Sequence, residues 1–200
     1  IAYNSMFITP LESLRIATGF DVWQRSFYGK LPYFFFYNVS PLGEIAGFGD
    51  SYDKSVMSRS GTIRSLVQFH AERSGDRALR WWVDLLREPG GGKPSISPIT
   101  GLIYPQQIEP RPPLDMSPDA VFRGVGWAAL HSDLANPEED LFVAFKSSPF
   151  GGVSHSYADQ NSFAIFKGGL SLARPGGTRY PHHGSPFHRQ YAQQTVAQNG

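Results

Sequence analysis

The sequence contains no cysteine, so neither a disulfide framework nor a thiolate metal site can form, and the redox compartment is left open. Any bound metal would need histidine and carboxylate ligands. No apolar run approaches the roughly 20 residues that span a bilayer. The most apolar stretch, Leu31–Val39, is short and contains Pro32 together with Tyr33 and Tyr37. An excess of charge of one sign is missing too: the formal net charge of +1 provides no broad basic field for nucleic acid. Neither a membrane nor a nucleic acid is an expected partner. The chain opens on Ile-Ala-Tyr rather than Met and ends on Gln198-Asn199-Gly200. It therefore reads as an internal fragment, in which the lack of a signal peptide carries no weight.

What is present suits a folded chain. Two hundred residues that are 40% hydrophobic can bury a substantial core, and mixed charge argues against disorder. From Asn4 to Thr18, Met6, Phe7, Leu11, Leu14 and Ala17 recur at helical steps, and Gly19 follows where a C-cap glycine belongs. Residues 62–74 and 76–88 repeat that pattern, the second with Asp76 as N-cap and Pro89 as stop. These read as helical hairpins. Between Pro89 and Pro118 lie Gly90-Gly91-Gly92 and much of the chain's proline, which reads as a linker. Beyond it the period falls to two, over Val121–Leu130, Leu141–Lys146, Ser162–Phe166 and Leu170–Ala173, as antiparallel strands would show. Helices followed by strands, without alternation, predict an α+β chain of two domains, at 1–92 and 119–200, joined by 93–118.

Two polar clusters could carry chemistry. Residues 151–162, Gly-Gly-Val-Ser-His-Ser-Tyr-Ala-Asp-Gln-Asn-Ser, lie between two strand-like runs, where a loop can aim several donors and acceptors at one pocket. On the plainer reading His155 is a surface histidine, and Asp159 and Asn161 are turn formers. Residues 179–189 hold His182, His183 and His188 beside Arg179 and Arg189. Such a run binds metals or anions, or is simply a solvated loop.

The segment Phe145-Lys146-Ser147-Ser148-Pro149-Phe150-Gly151, continuing through His155-Ser156-Tyr157-Ala158-Asp159-Gln160-Asn161-Ser162-Phe163, resembles the heparinase II/III-like polysaccharide lyases. The likeness is nearest to the oligoalginate-lyase branch, polysaccharide lyase family fifteen. It extends to Gly126-Trp127-Ala128, Gly47-Phe48-Gly49-Asp50, Gly19-Phe20-Asp21 and the stretch from His188 to Thr195. The resemblance implies the end of an incomplete (α/α) toroid over 1–92 and the first strands of an antiparallel β-sandwich over 119–200. A cleft between the two would hold the active site. It further implies a catalytic tyrosine at the opening helix, here Tyr3, and a catalytic histidine across the cleft, here His155. Tyr157, Gln160, Asn161, Arg179, His188 and Arg189 are the expected substrate-binding groups. Such enzymes work in the periplasm or cytoplasm of bacteria.

Many relatives hold a structural zinc through a second histidine of the motif, an aspartate after the next strand and a later histidine. Those places correspond here to Tyr157, the Arg174-Pro175 region and Gln198. None supplies a good zinc ligand, so the zinc is expected to be absent and no other cofactor is implied. The family's remaining neutralising groups belong to earlier toroid helices, which would precede Ile1. The 200 residues alone are therefore expected to lack full activity.

The implied reaction is β-elimination of a uronic-acid polysaccharide or oligosaccharide, alginate or a glycosaminoglycan such as heparan sulfate, cut exolytically to leave a 4,5-unsaturated uronate. One group must neutralise the uronate carboxylate, a base must take the C5 proton and an acid must protonate the leaving O4. Histidine titrates near neutrality, and a phenol can donate to the leaving oxygen, or act as base beside a cation. Two other classes remain open: a non-catalytic glycan-binding module of the same fold, and a metal-dependent hydrolase using His182, His183 and His188.

Overall fold

The computed structural model describes residues 7–43, 48, 60–86, 108–148 and 160–173. Among these, the helices are α1 (Ile8–Thr18), α2 (Ser26–Asn38), α3 (Ser60–Ser74) and α4 (Arg77–Leu85), with a 3₁₀ turn at Val22–Gln24. The strands are β1 (Asp119–Phe122), β2 (Trp127–His131), β3 (Leu141–Lys146), β4 (Ser162–Lys167) and β5 (Leu170–Ala173). The class is α+β, with the helices first, as the change of hydrophobic period predicts. No helix of the described residues is long and apolar enough to cross a membrane. The chain divides into two compact units, one of Ile1–Phe36 with Ser58–Pro113, the other of Tyr37–Met57 with Leu114–Gly200.

In the helical unit, α1 ends as its sequence dictates. Gly19 adopts φ 75°, a conformation open to glycine, and returns its N–H to the Arg15 carbonyl at 2.8 Å. The residues that mark α1 as a helix are not those it buries. Phe7 and Leu14 are exposed, whereas Ile8 and the carboxylate residue Glu12 point inward. Helix α2 was not foreseen, because Pro32 lies inside it and its aromatic run Tyr33–Tyr37 fits a strand equally well. Phe35 and Phe36 are buried here, with Ile63, Leu66, Val67 and Phe69 of α3 and Leu79, Trp82 and Val83 of α4. Helices α3 and α4 pack on each other as the expected pair. Asp76 caps α4, its Oδ1 accepting from the Ala78 and Leu79 amides at 2.9 Å each, and its Oδ2 accepting from the Tyr33 hydroxyl. The helix stops at Leu85, ahead of Pro89, because Leu86 is already extended with ψ 127°.

In the strand unit, the five strands form one antiparallel meander in chain order. The expected single strand over Val121–Leu130 is instead a hairpin. Residues 123–126 turn the chain, and β2 then pairs with β1 from Phe122↔Trp127 to Asp119↔Leu130. The two glycines at 124 and 126 were the signal for it. One face is packed: Ala129, Ala144 and Ala164 lie in register with no exposed surface, flanked by Phe142 and Phe166. The rings of His131, Phe142 and Phe166 stack in a row across three strands, at centroid distances of 4.5 and 5.4 Å. The other face is apolar too and more open, carrying Val121, Leu130 and Phe163.

Candidate functional site

The strongest sequence motif falls on the end of the sheet from which residues 149–159 leave β3 and return to β4. The last ladder pair there is Lys146↔Ser162, with Trp127 next to Lys146 on β2. Trp127 meets the Phe48 ring edge-on at 4.7 Å, which brings Phe48 to the same end of the sheet. Lys146 and Ser162 are buried on the packed face.

Beyond the last pair, side chains and turns take over from the ladder. The Ser147 amide donates to the Gly126 carbonyl at 2.7 Å. The Ser148 amide donates to the side-chain oxygen Oε1 of Gln160 at 2.5 Å. Gly126 has φ 66°, and a Cβ there would meet the Ser147 carbonyl oxygen and the Ser148 Cα, so the turn of the first hairpin fits only a glycine. Asn161 has φ 57°, a left-handed conformation that asparagine tolerates better than most residues.

Of the expected site residues, Gln160 and Asn161 are therefore adjacent at the start of β4, with Gln160 half-buried and Asn161 exposed. Tyr3, His155, Tyr157, Arg179, His188 and Arg189 lie outside the described residues, as do His182 and His183. So do the positions matching the zinc ligands, Tyr157, Arg174, Pro175 and Gln198. Among the described residues no group of three or more His, Cys, Asp or Glu side chains could hold a metal ion.

Two polar arrangements escaped sequence reasoning. In the helical unit the Glu12 side chain is 1% exposed and accepts from the Trp23 indole N–H at 2.6 Å and from Arg15 at 2.9 to 3.2 Å. Arg73 reaches the same carboxylate at 3.5 Å and pairs with Asp21. A buried carboxylate needs such partners, and only the Glu12–Arg15 spacing showed in the sequence. Beside this group His70 is 6% exposed and lies edge-on to the Trp23 and Phe69 rings, with its Nε2 unpaired. Burial, and secondarily the Arg73 cation, lower its pKa from 6.5 to about 4.

In the strand unit the His131 ring has an acceptor at each nitrogen. Nδ1 lies 2.6 Å from Asp140 Oδ2, and Nε2 lies 2.9 Å from the Tyr37 carbonyl oxygen. Burial alone would raise the Asp140 carboxyl. The hydrogen bonds from His131 and from the Asp133 and Ser132 amides outweigh that and hold it below its ordinary value. This arrangement sits at the opposite end of β2 and β3 from Ser148 and Gln160, so it supports the sheet rather than the candidate site.

Comparison with solved structures decides what this architecture is. A crystal structure of heparinase III superposes with a TM-score of 0.59 over 95% of the chain, at 14% sequence identity. The fold is that of part of heparinase III. Heparan sulfate lyase HepC from Pedobacter heparinus, as a mutant, matches over 80% of the chain with a TM-score of 0.49 and 14% identity. Another heparinase III structure matches over 82% with a TM-score of 0.49 and 12% identity. The chain spans 29% of the first of these structures, 20% of the second and 21% of the third. No protein-family model matches the chain, and no curated protein matches it.

Proposed function

We propose that this chain is part of a polysaccharide lyase that cleaves uronic-acid polysaccharides or oligosaccharides by β-elimination. The observation that carries the reading is the coincidence of two independent likenesses. The lyase-like motif from Phe145 to Phe163 falls on the β3–β4 connection of a sheet whose chain has the heparinase III fold. Fold alone does not fix chemistry, so the motif residues bear the functional weight.

In this reading His155 and Tyr3 are the two proton-transfer groups that act on one uronate. One takes the C5 proton, and the electron pair released forms the C4–C5 double bond as the C4–O4 bond breaks. The other gives its proton to the departing O4. Arg179, His188 and Arg189 are the groups for the substrate's carboxylates or sulfates, and Tyr157, Gln160 and Asn161 are its further binding groups. The donor set at Tyr157, Arg174-Pro175 and Gln198 does not fit zinc, and no step passes through a metal. Within the class, the sequence resemblance favours the oligoalginate branch and exolytic cutting.

The full-length protein, offered alginate, heparan sulfate, hyaluronan and chondroitin in parallel, tests this. Conjugated 4,5-unsaturated uronate should accumulate from at least one of them, as short products from the start. Binding to one of these glycans with no unsaturated product from any would favour a non-catalytic glycan-binding module instead.

A further inference from the structure

We propose that the 3₁₀ turn Val22–Gln24 is an acid-released latch on the helical unit: it stays closed over the neutral His70 ring and lifts off, with Trp23, when that ring takes up a proton. The proposal is independent of the chemistry assigned to the strand unit.

The turn lies between exposed residues, Thr18–Phe20 before it and Arg25–Phe27 after it. Its backbone hydrogen bonds are all local. The Gly19 amide returns to the Arg15 carbonyl at 2.8 Å and the Arg25 amide to the Val22 carbonyl at 3.1 Å, while the Trp23 amide donates to Asp21 Oδ1 at 3.1 Å. Among the described residues, side chains alone fasten this stretch to the helices it covers. The Trp23 indole N–H donates to Glu12 of α1 at 2.6 Å, and Asp21 pairs with Arg73 of α3. The indole ring also packs on Phe69 and His70 of α3, at centroid distances of 4.7 and 5.6 Å. A segment held by so few side chains, and by no long-range backbone bond, can open while the helices stay intact.

His70 supplies the trigger. Its ring is buried under Trp23 and against Phe69, and Nε2 has no partner. A proton added there puts a charge into a seat walled by aromatic rings that offer no acceptor. The charged groups around that seat are Arg73 on α3, Glu12 and Arg15 on α1, and Asp21 ahead of the turn. Arg73 repels the imidazolium. Glu12 already takes Trp23, Arg15 and Arg73, and Asp21 takes Arg73. When Trp23 leaves, water reaches the ring and the indole frees a Glu12 oxygen. The ring titrates at about 4 in the closed form and at its ordinary 6.5 once opened. The closed form is therefore fully favoured above pH 6.5 and loses ground as the pH falls towards 4. Between pH 7.5 and pH 5 the opening equilibrium shifts about thirtyfold.

Hydrogen exchange at the Trp23 indole N–H measures that equilibrium in the full-length protein labelled with ¹⁵N-tryptophan, with Trp23→Phe assigning the resonance. Protection relative to free tryptophan at the same pH should fall about thirtyfold from pH 7.5 to pH 5, and stay within about twofold in His70→Gln. The backbone amides of α3 from Leu66 to His70 should remain at least about tenfold better protected than the indole at both pH values. Protection of the native indole that does not change with pH overturns the latch, and this arm needs no variant to fold. Indole protection equal to that of the α3 amides overturns local release, because Trp23 then leaves only on global unfolding. The same fall in His70→Gln as in the native form removes His70 as the trigger.

Discussion

His70 makes acid stability measurable at one side chain. In the folded chain its pKa is lowered from 6.5 to about 4 by burial, with Arg73 adding to the effect. The unfolded chain binds a proton there near pH 6.5, and the folded chain does so only near pH 4. Between these values the unfolded state holds more protons, so stability falls as the pH drops through that window. Above pH 6.5 the ring is neutral in both states and the contribution is intact. Each pH unit across the window corresponds to about 1.4 kcal/mol, so the full loss is about 3 kcal/mol, and about 2 kcal/mol is gone by pH 5. Urea unfolding at pH 7.5, 6.5, 5.5 and 5.0, compared between the native chain and His70→Gln, isolates the term because the other titrating groups cancel. The native chain should lose about 2 kcal/mol more than the variant between pH 7.5 and pH 5. Parallel curves for the two proteins would refute the assignment of a neutral, desolvated imidazole at this position.

Three further outcomes follow from the same geometry. Gly126→Ala places a methyl group against the Ser147 carbonyl in a left-handed backbone, and should cost about 2 kcal/mol in thermal unfolding with loss of turnover. Asp140→Asn removes a carboxylate held below its ordinary pKa by His131 and two amides. The stabilisation from Asp140 is present above the unfolded value of 3.8 and disappears as the pH falls through the lower folded value, so the native chain and the variant should differ most near neutrality and converge in strong acid. Trp23→Phe leaves the buried Glu12 carboxylate without its indole donor and should lower stability by about 1–3 kcal/mol in denaturant unfolding, while a surface change such as Lys30→Gln leaves it unmoved.

The sequence was most legible where one physical signal dominated. Strands β3 and β5 have the bounds that alternation predicts, because two-residue periodicity continues right up to flanking turn residues. Asp76 and Gly19 announced helix ends through backbone chemistry that does not depend on tertiary contacts. Helix α2 was hidden, since Pro32 and a run of aromatic residues argue locally against a helix, and burial of Phe35 and Phe36 overrides that preference. The inward face of α1 was hidden for the opposite reason: its buried residue Glu12 is charged, and only the Trp23, Arg15 and Arg73 donors make that burial tolerable. At the candidate site, the motif identified Gln160 as a residue of interest, but its partner could not be read from sequence. Ser148 is brought to it by the register of β3 against β4, a property of the folded sheet.

The central claim is that an imidazole carried between β3 and β4 performs proton transfer on a uronate. The decisive comparison is between the full-length protein and its His155→Ala variant, each given the preferred glycan, with unsaturated-uronate absorbance and glycan affinity measured on the same samples. Product formation should fall by at least about a hundredfold while affinity changes little, as expected for a lost proton-transfer group. Turnover near the native rate in the variant would contradict the claim and remove His155 from the chemistry.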